Sequence, residues 1–165
     1  MTLRGLKAMA SRKSEKGGRK KDLVPKRLFK RKPGVPSFPP GTKVLYEPAG
    51  HEKMSEVLED FIEPFQDLAD NEDAYRKLLS LAMVAWNAAL LPEDRQRAMI
   101  DKMIEVGLAK ASRSDRIHTR KLVEIMVQRK QSLFVSNKRM IISFELTDTG
   151  SGYNLSVMST LEPQS

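Results

Sequence analysis

Of the first 43 residues, 14 are Lys or Arg and only 2 are acidic. This block constrains the chain more than any other feature. A stretch with a net charge of +12 and few large apolar side chains cannot bury enough surface to offset its ordering entropy and its self-repulsion. The cations come in close clusters: Arg12-Lys13, Arg19-Lys20-Lys21, Lys26-Arg27 and Lys30-Arg31-Lys32. Gly17-Gly18 and Pro25 break any helix between them. Residues 33–41, Pro-Gly-Val-Pro-Ser-Phe-Pro-Pro-Gly, favour extended polyproline II geometry. Residues 1–43 are therefore expected to be a disordered basic tail ending in a semi-rigid spacer, and residues 44–165 the folded domain.

The rest of the chain is as unevenly charged as its start. Residues 44–109 carry 6 basic and 14 acidic side chains, residues 110–139 carry 9 and 2, and residues 140–165 carry none and 3. The overall charge of +8 conceals a basic arm, an acidic body and a second basic segment. Such asymmetry points to a polyanionic partner or to contacts within the chain.

The domain reads as mainly helical, in the α+β class. Met54, Val57, Leu58, Phe61, Ile62, Phe65, Leu68 and Ala69 recur at helical spacing, with Glu56, Glu59, Asp60, Glu63 and Asp67 opposite. Pro64 should kink or divide that helix. Asp70 or Asn71 can cap a second helix running to about Leu90, and its apolar residues cover nearly the whole circumference, as in a central helix. Leu91-Pro92-Glu93-Asp94 starts a third, with Met99, Ile100, Met103, Ile104, Val106 and Leu108 on its apolar face. Ser112 or Ser114 caps a fourth to about Gln131, in which Ile117, Leu122, Ile125 and Met126 are expected to face inward. Arg113, Arg116 and Arg120 line its outer side. The period then falls to two. Met140, Ile142, Phe144 and Leu146 alternate with Ile141, Ser143, Glu145 and Thr147, Asp148 to Gly152 forms a turn, and Tyr153, Leu155, Val157, Ser159 and Leu161 alternate again. That is a β-hairpin. The expected architecture is a compact bundle of about four helices with a C-terminal hairpin.

Several chemistries are disfavoured. Cysteine is absent, which excludes disulfides, thiolate nucleophiles and Cys-ligated metals. The most apolar stretch, Leu78 to Leu91, is interrupted by Ser80 and Asn87 and falls short of the ~18 residues of a membrane span, so no membrane is expected. His51 and His118, the only histidines, lack the spacing of a zinc pair. Asp148-Thr149-Gly150-Ser151 resembles the active-site loop of aspartic proteases, but 17 residues follow Asp148, too few for the β-rich fold that loop requires. The same four residues are ordinary turn formers. Gly150-Ser151-Gly152 lacks the spacing of a phosphate loop. Asp67 to Asp73 lacks the glycine and terminal glutamate of a calcium loop.

What remains is the charge. The clusters from Arg12 to Lys32, extended by Arg113, Arg116 and Arg120, are the candidate nucleic-acid-binding residues, because phosphate neutralisation releases counterions and gives salt-sensitive, sequence-indifferent affinity. With only Phe29 and Phe38 as aromatics in the arm, base stacking is minor. The expected function is a non-enzymatic accessory protein on nucleic acid or a ribonucleoprotein. A protein-interaction module using the helical domain and the hairpin edge is the alternative. No cofactor and no small-molecule substrate are indicated. The expected compartment is the cytoplasm, although the clusters around Lys20 and Lys30 also match nuclear import signals.

Overall fold

The computed structural model describes residues 40, 41, 43–47 and 50–161. The basic clusters from Arg12 to Lys32 and the Pro-rich stretch 33–39 lie outside the described residues. Four helices, α1 (Met54–Ile62), α2 (Glu72–Ala89), α3 (Glu93–Gly107) and α4 (Arg113–Leu133), precede a hairpin of β1 (Ile141–Asp148) and β2 (Tyr153–Ser159).

Local chemistry accounts for the boundaries. The stripe of α1 buries Met54, Val57, Leu58, Phe61 and Ile62. Pro64 then changes the geometry: Glu63–Leu68 is a 3-10 helix with the proline in its first turn. Three residues per turn instead of 3.6 rotates the stripe off the core. Leu68, expected inside, is 63% exposed, whereas Phe65 stays half-buried and Ala69 is buried. Asn71 starts α2, its Oδ1 accepting from the Ala74 N–H at 2.9 Å. Pro92 is the N-cap of α3, not its first helical residue, so the helix begins at Glu93, with Asp94 behind it. Ser112 caps α4, its Oγ accepting from the Asp115 N–H at 3.0 Å.

The second helix is central: α2 packs against α1, the 3-10 helix, α3, α4 and β1. Trp86, fully buried, forms an aromatic cluster with Phe61 and Phe134, with ring centroids 5.3 Å and 5.6 Å away. On α4 the inward face is Val123, Met126, Val127 and Lys130. Ile117 and Ile125 do not face the core as expected; they are 44% and 53% exposed. The core-facing stripe is displaced around the helix, and Lys130 continues it beside Trp86.

The hairpin is antiparallel, with Leu146 opposite Leu155 and Phe144 opposite Val157. A bulge between Ile141 and Ser143 sets two residues of β1 against one of β2. The extra residue inverts the alternation at the start of the strand. Ile141 is buried at 2% exposure, while Met140 and Ile142, expected on the core face, are 40% and 56% exposed.

Side chains of α2 hold β1 in place. The Asn87 amide pairs with the Ile141 backbone as a neighbouring strand would, its Nδ2 donating to the Ile141 carbonyl and its Oδ1 accepting from the Ile141 N–H, both at 2.8 Å. Trp86 Nε1 donates to the Arg139 carbonyl at 2.8 Å, and Arg76 Nη2 to the Leu146 carbonyl at 3.1 Å. A two-stranded hairpin is marginal alone. Here side chains of one central helix bond it at Ile141 and Leu146 and hold the chain just before it at Arg139, and its apolar face packs against α1 and α2.

Candidate nucleic-acid interface

Of the candidate residues, Arg113, Arg116 and Arg120 lie among the described ones. They share one line on α4, as the spacing predicts, but the line is not a uniform cationic face. Arg113 is exposed and makes no hydrogen bond or ion pair among the described residues. Arg116 is half-buried, and its Nη2 donates to the Ala109 carbonyl at 2.5 Å, fastening the turn between α3 and α4. Arg120 pairs with Asp101 of α3 at 2.6 Å.

The other cations of the 110–139 segment divide in the same way. Arg129 donates to the Phe61 and Asp60 carbonyls at 3.0 Å and 3.1 Å, closing the C-terminus of α1. Those carbonyls have no partner within their own helix, so a guanidinium there satisfies them and complements the helix dipole. Arg139 pairs with Glu47 at 2.5 Å, while its Nε donates to Ser159 Oγ at 3.2 Å. Five of the nine cations in this segment (Arg116, Arg120, Arg129, Lys130 and Arg139) are thus committed to intramolecular bonds. Lys110, Arg113, Lys121 and Lys138 are exposed.

Lys130 is the most unusual of them. Its side chain is 2% exposed. Nζ donates to the Phe134 and Asn137 carbonyls at 2.7 Å and 2.8 Å and lies 4.5 Å from the Trp86 ring centroid. The three ammonium donors therefore meet two carbonyls and a π face, closing the corner where α4 gives way to the hairpin. Burial, with Lys138 adding repulsion, lowers its pKa from 10.5 to about 8. A lysine in register with Val123, Met126 and Val127 is the signal that could have marked it in the sequence.

The acidic side of the molecule lies on α1, the 3-10 helix and the start of α2. From Met54 to Tyr75 the chain has eight carboxylates and no Lys or Arg. Glu72 is buried at 3% exposure and pairs with Arg76 at 2.7 Å. The other seven (Glu56, Glu59, Asp60, Glu63, Asp67, Asp70 and Asp73) are exposed and enter no ion pair among the described residues. Partial burial together with the charges of Asp60 and Glu56 raises the pKa of Glu59. Burial is the larger cause and the neighbouring like charges add to it.

Two arrangements have the outline of chemistry and not its substance. Ser114 Oγ and His118 Nδ1 are 3.3 Å apart, but both side chains are on the exposed surface of α4 and, among the described residues, no carboxylate orients the other ring nitrogen. The Asp148–Gly152 segment is a turn. Asp148 Oδ1 accepts from the Gly150 N–H at 2.7 Å, the Thr149 N–H donates to the Gly152 carbonyl at 3.0 Å, and Gly150 takes a left-handed φ of 79°. A shallow polar cavity of about 300 Å³ is lined by Glu47, His51, Glu52, Asn137, Arg139 and Leu161. Its guanidinium is already paired with Glu47. No group of three or more potential metal ligands occurs among the described residues. Among them, too, no helix is long and apolar enough to cross a membrane.

No protein-family model, curated protein or solved structure matches this chain.

Proposed function

We propose that the protein is a non-enzymatic accessory factor that associates with nucleic acid or a ribonucleoprotein through its basic N-terminal arm, while the helical domain provides placement. One observation carries this reading: the 14 cations of residues 1–43 against the fate of the domain's own, most of which in the 110–139 segment are committed to internal bonds. Cationic charge able to meet phosphates is therefore concentrated in the arm, with Lys110, Arg113, Lys121 and Lys138 as a secondary contribution. Affinity gained this way comes from counterion release and is indifferent to base sequence.

Strand addition at the hairpin, the alternative, has less support on β1, because Asn87 and Arg76 already bond its backbone.

The test is a salt titration with the full-length chain on generic duplex RNA and duplex DNA. The logarithm of affinity should fall linearly with the logarithm of salt, and neutralising one cation that meets a phosphate should flatten the slope by about 0.9 on B-DNA. A chain carrying R19Q, K20Q and K21Q should bind more weakly with a slope shallower by up to about 2.7. Affinity that does not change with ionic strength would sink the reading.

A further inference from the structure

The exposed carboxylates of α1 and the segment after it pose a problem that the described residues do not solve. Glu56, Glu59, Asp60 and Glu63 stand at positions i, i+3, i+4 and i+7, one stripe along the helix. Asp67, Asp70 and Asp73 follow. Elsewhere among the described residues, an acid–base pair bridges α3 to α4, Glu93 of α3 pairs with Arg97, and Glu47 pairs with Arg139. This stripe has none. Arg129, the guanidinium that approaches it, bonds the backbone carbonyls of Asp60 and Phe61 and not the carboxylates.

The matching charge is present in the same chain. We infer that the basic arm, through its clusters between Arg12 and Lys32, lies in cis along the acidic stripe of α1, and that a polyanion has to displace it in order to bind. Charge complementarity supports this occupant, since a +12 block meets a stretch of 22 residues that holds eight acids and no base. Connectivity supports it as well. The arm joins the domain through Lys43–Glu47, which the Glu47–Arg139 pair fastens a few residues before α1 begins. The spacer between Lys32 and Lys43 can extend over roughly 35 Å, more than twice the about 14 Å length of α1. The tether makes the contact intramolecular, with an effective concentration on the order of millimolar. Individually weak surface pairs can then act together.

The contact itself does not depend on the nucleic-acid reading, but the displacement step rests on it, so the experiment separates the two. The full-length chain is treated with a carbodiimide that joins lysine amines directly to carboxylates, and the linked peptides are mapped by mass spectrometry. Links from Lys20, Lys21, Lys30 or Lys32 to Glu56, Glu59 or Glu63, within single chains, are expected. Their yield should fall at least threefold between about 10 mM and about 1 M salt, as the screening length shrinks from roughly 30 Å to 3 Å. It should fall similarly in a chain carrying E56Q, E59Q and E63Q. All three positions are exposed, and Gln keeps the capping-box bond that Glu56 makes to the Lys53 N–H, so the variant should melt with the parent. It should also bind generic duplex RNA several-fold more tightly than the parent, because its arm is released.

Links that map to other acids and persist in the Gln variant would overturn the contact, as would links that join two chains. If RNA binds yet leaves the cis links intact, the displacement step is wrong. If the cis links form but RNA does not bind at any salt concentration, the contact stands and the nucleic-acid reading fails.

Discussion

Lys130 shows how much a single residue can depend on its surroundings. Charged, it completes three donor interactions; buried, it resists the charge, and its pKa falls to about 8. Below pH 8 the folded and unfolded chains both hold the proton. Between pH 8 and about 10 the folded chain has released it and the unfolded chain has not, so the unfolded state binds more protons and stability rises with pH. The gain should be on the order of 1–3 kcal/mol, read as the shift in urea midpoint over that range. Above pH 10, Tyr75 and Tyr153, both with raised pKa values chiefly through burial, ionise first in the unfolded chain and reverse the trend. In K130M the rise between pH 8 and 10 should vanish. Asn87 makes a second residue-scale prediction. Replacing it with Ala leaves the Ile141 N–H and carbonyl without partners, and should cost about 2–4 kcal/mol in denaturant unfolding. A cost under ~0.5 kcal/mol would mean that water replaces the amide.

At the scale of elements, the bulge in β1 and the cations of α4 carry the expectations. Because the bulge turns Ile141 inward and Ile142 outward, Ile141→Ala should cost about 2–4 kcal/mol and Ile142→Ala under about 0.5. Unbroken alternation through Phe144 and Leu146 predicts the reverse order, so the pair of melting curves decides between the two registers. On α4, Arg113 and Arg120 are one helical line in the sequence and two different environments in the fold. Arg120→Gln removes a partly exposed pair with Asp101, worth at most about 1 kcal/mol, and should leave the salt slope of nucleic-acid binding unchanged. Arg113→Gln should leave stability unchanged and flatten that slope by up to about 0.9.

At the scale of the whole molecule, the charge is organised by segment and not balanced residue by residue. The arm is cationic, α1 and the start of α2 are anionic outside, and α4 has put most of its cations into holding helices and hairpin together. A domain built this way gains little non-specific affinity for phosphate from its own surface. Removing charge from the arm should therefore weaken nucleic-acid binding far more than removing the same number of charges from α4. Comparing R19Q/K20Q/K21Q with K110Q/R113Q/K121Q in one salt series measures that difference. Equal weakening would show a shared footprint and make the arm one part of a larger interface.

Much of this protein was legible from local signals, because helix caps, prolines and residue period act over a few positions. Asn71 and Ser112 cap where expected, Pro64 divides the first helix, and the change from a period of 3.6 to 2 announces the hairpin. The apolar residues around nearly the whole circumference of α2, which mark it as central, were equally plain. Tertiary structure decided the rest, and for one physical reason: the deciding bonds join residues far apart in the chain. Arg129 meets the Phe61 carbonyl across 68 positions, and Asn87 meets Ile141 across 54. No spacing rule reports such a pair. A cation bound for solvent and a cation bound for a distant carbonyl therefore look the same in the sequence, as Arg113 and Arg129 do. The bulge that exposes Ile142 and the 3-10 turn that exposes Leu68 belong to the same class. Each shifts a regular pattern by a fraction of a turn or by one residue; Pro64 marks where the 3-10 turn falls, whereas no local signal marks the bulge.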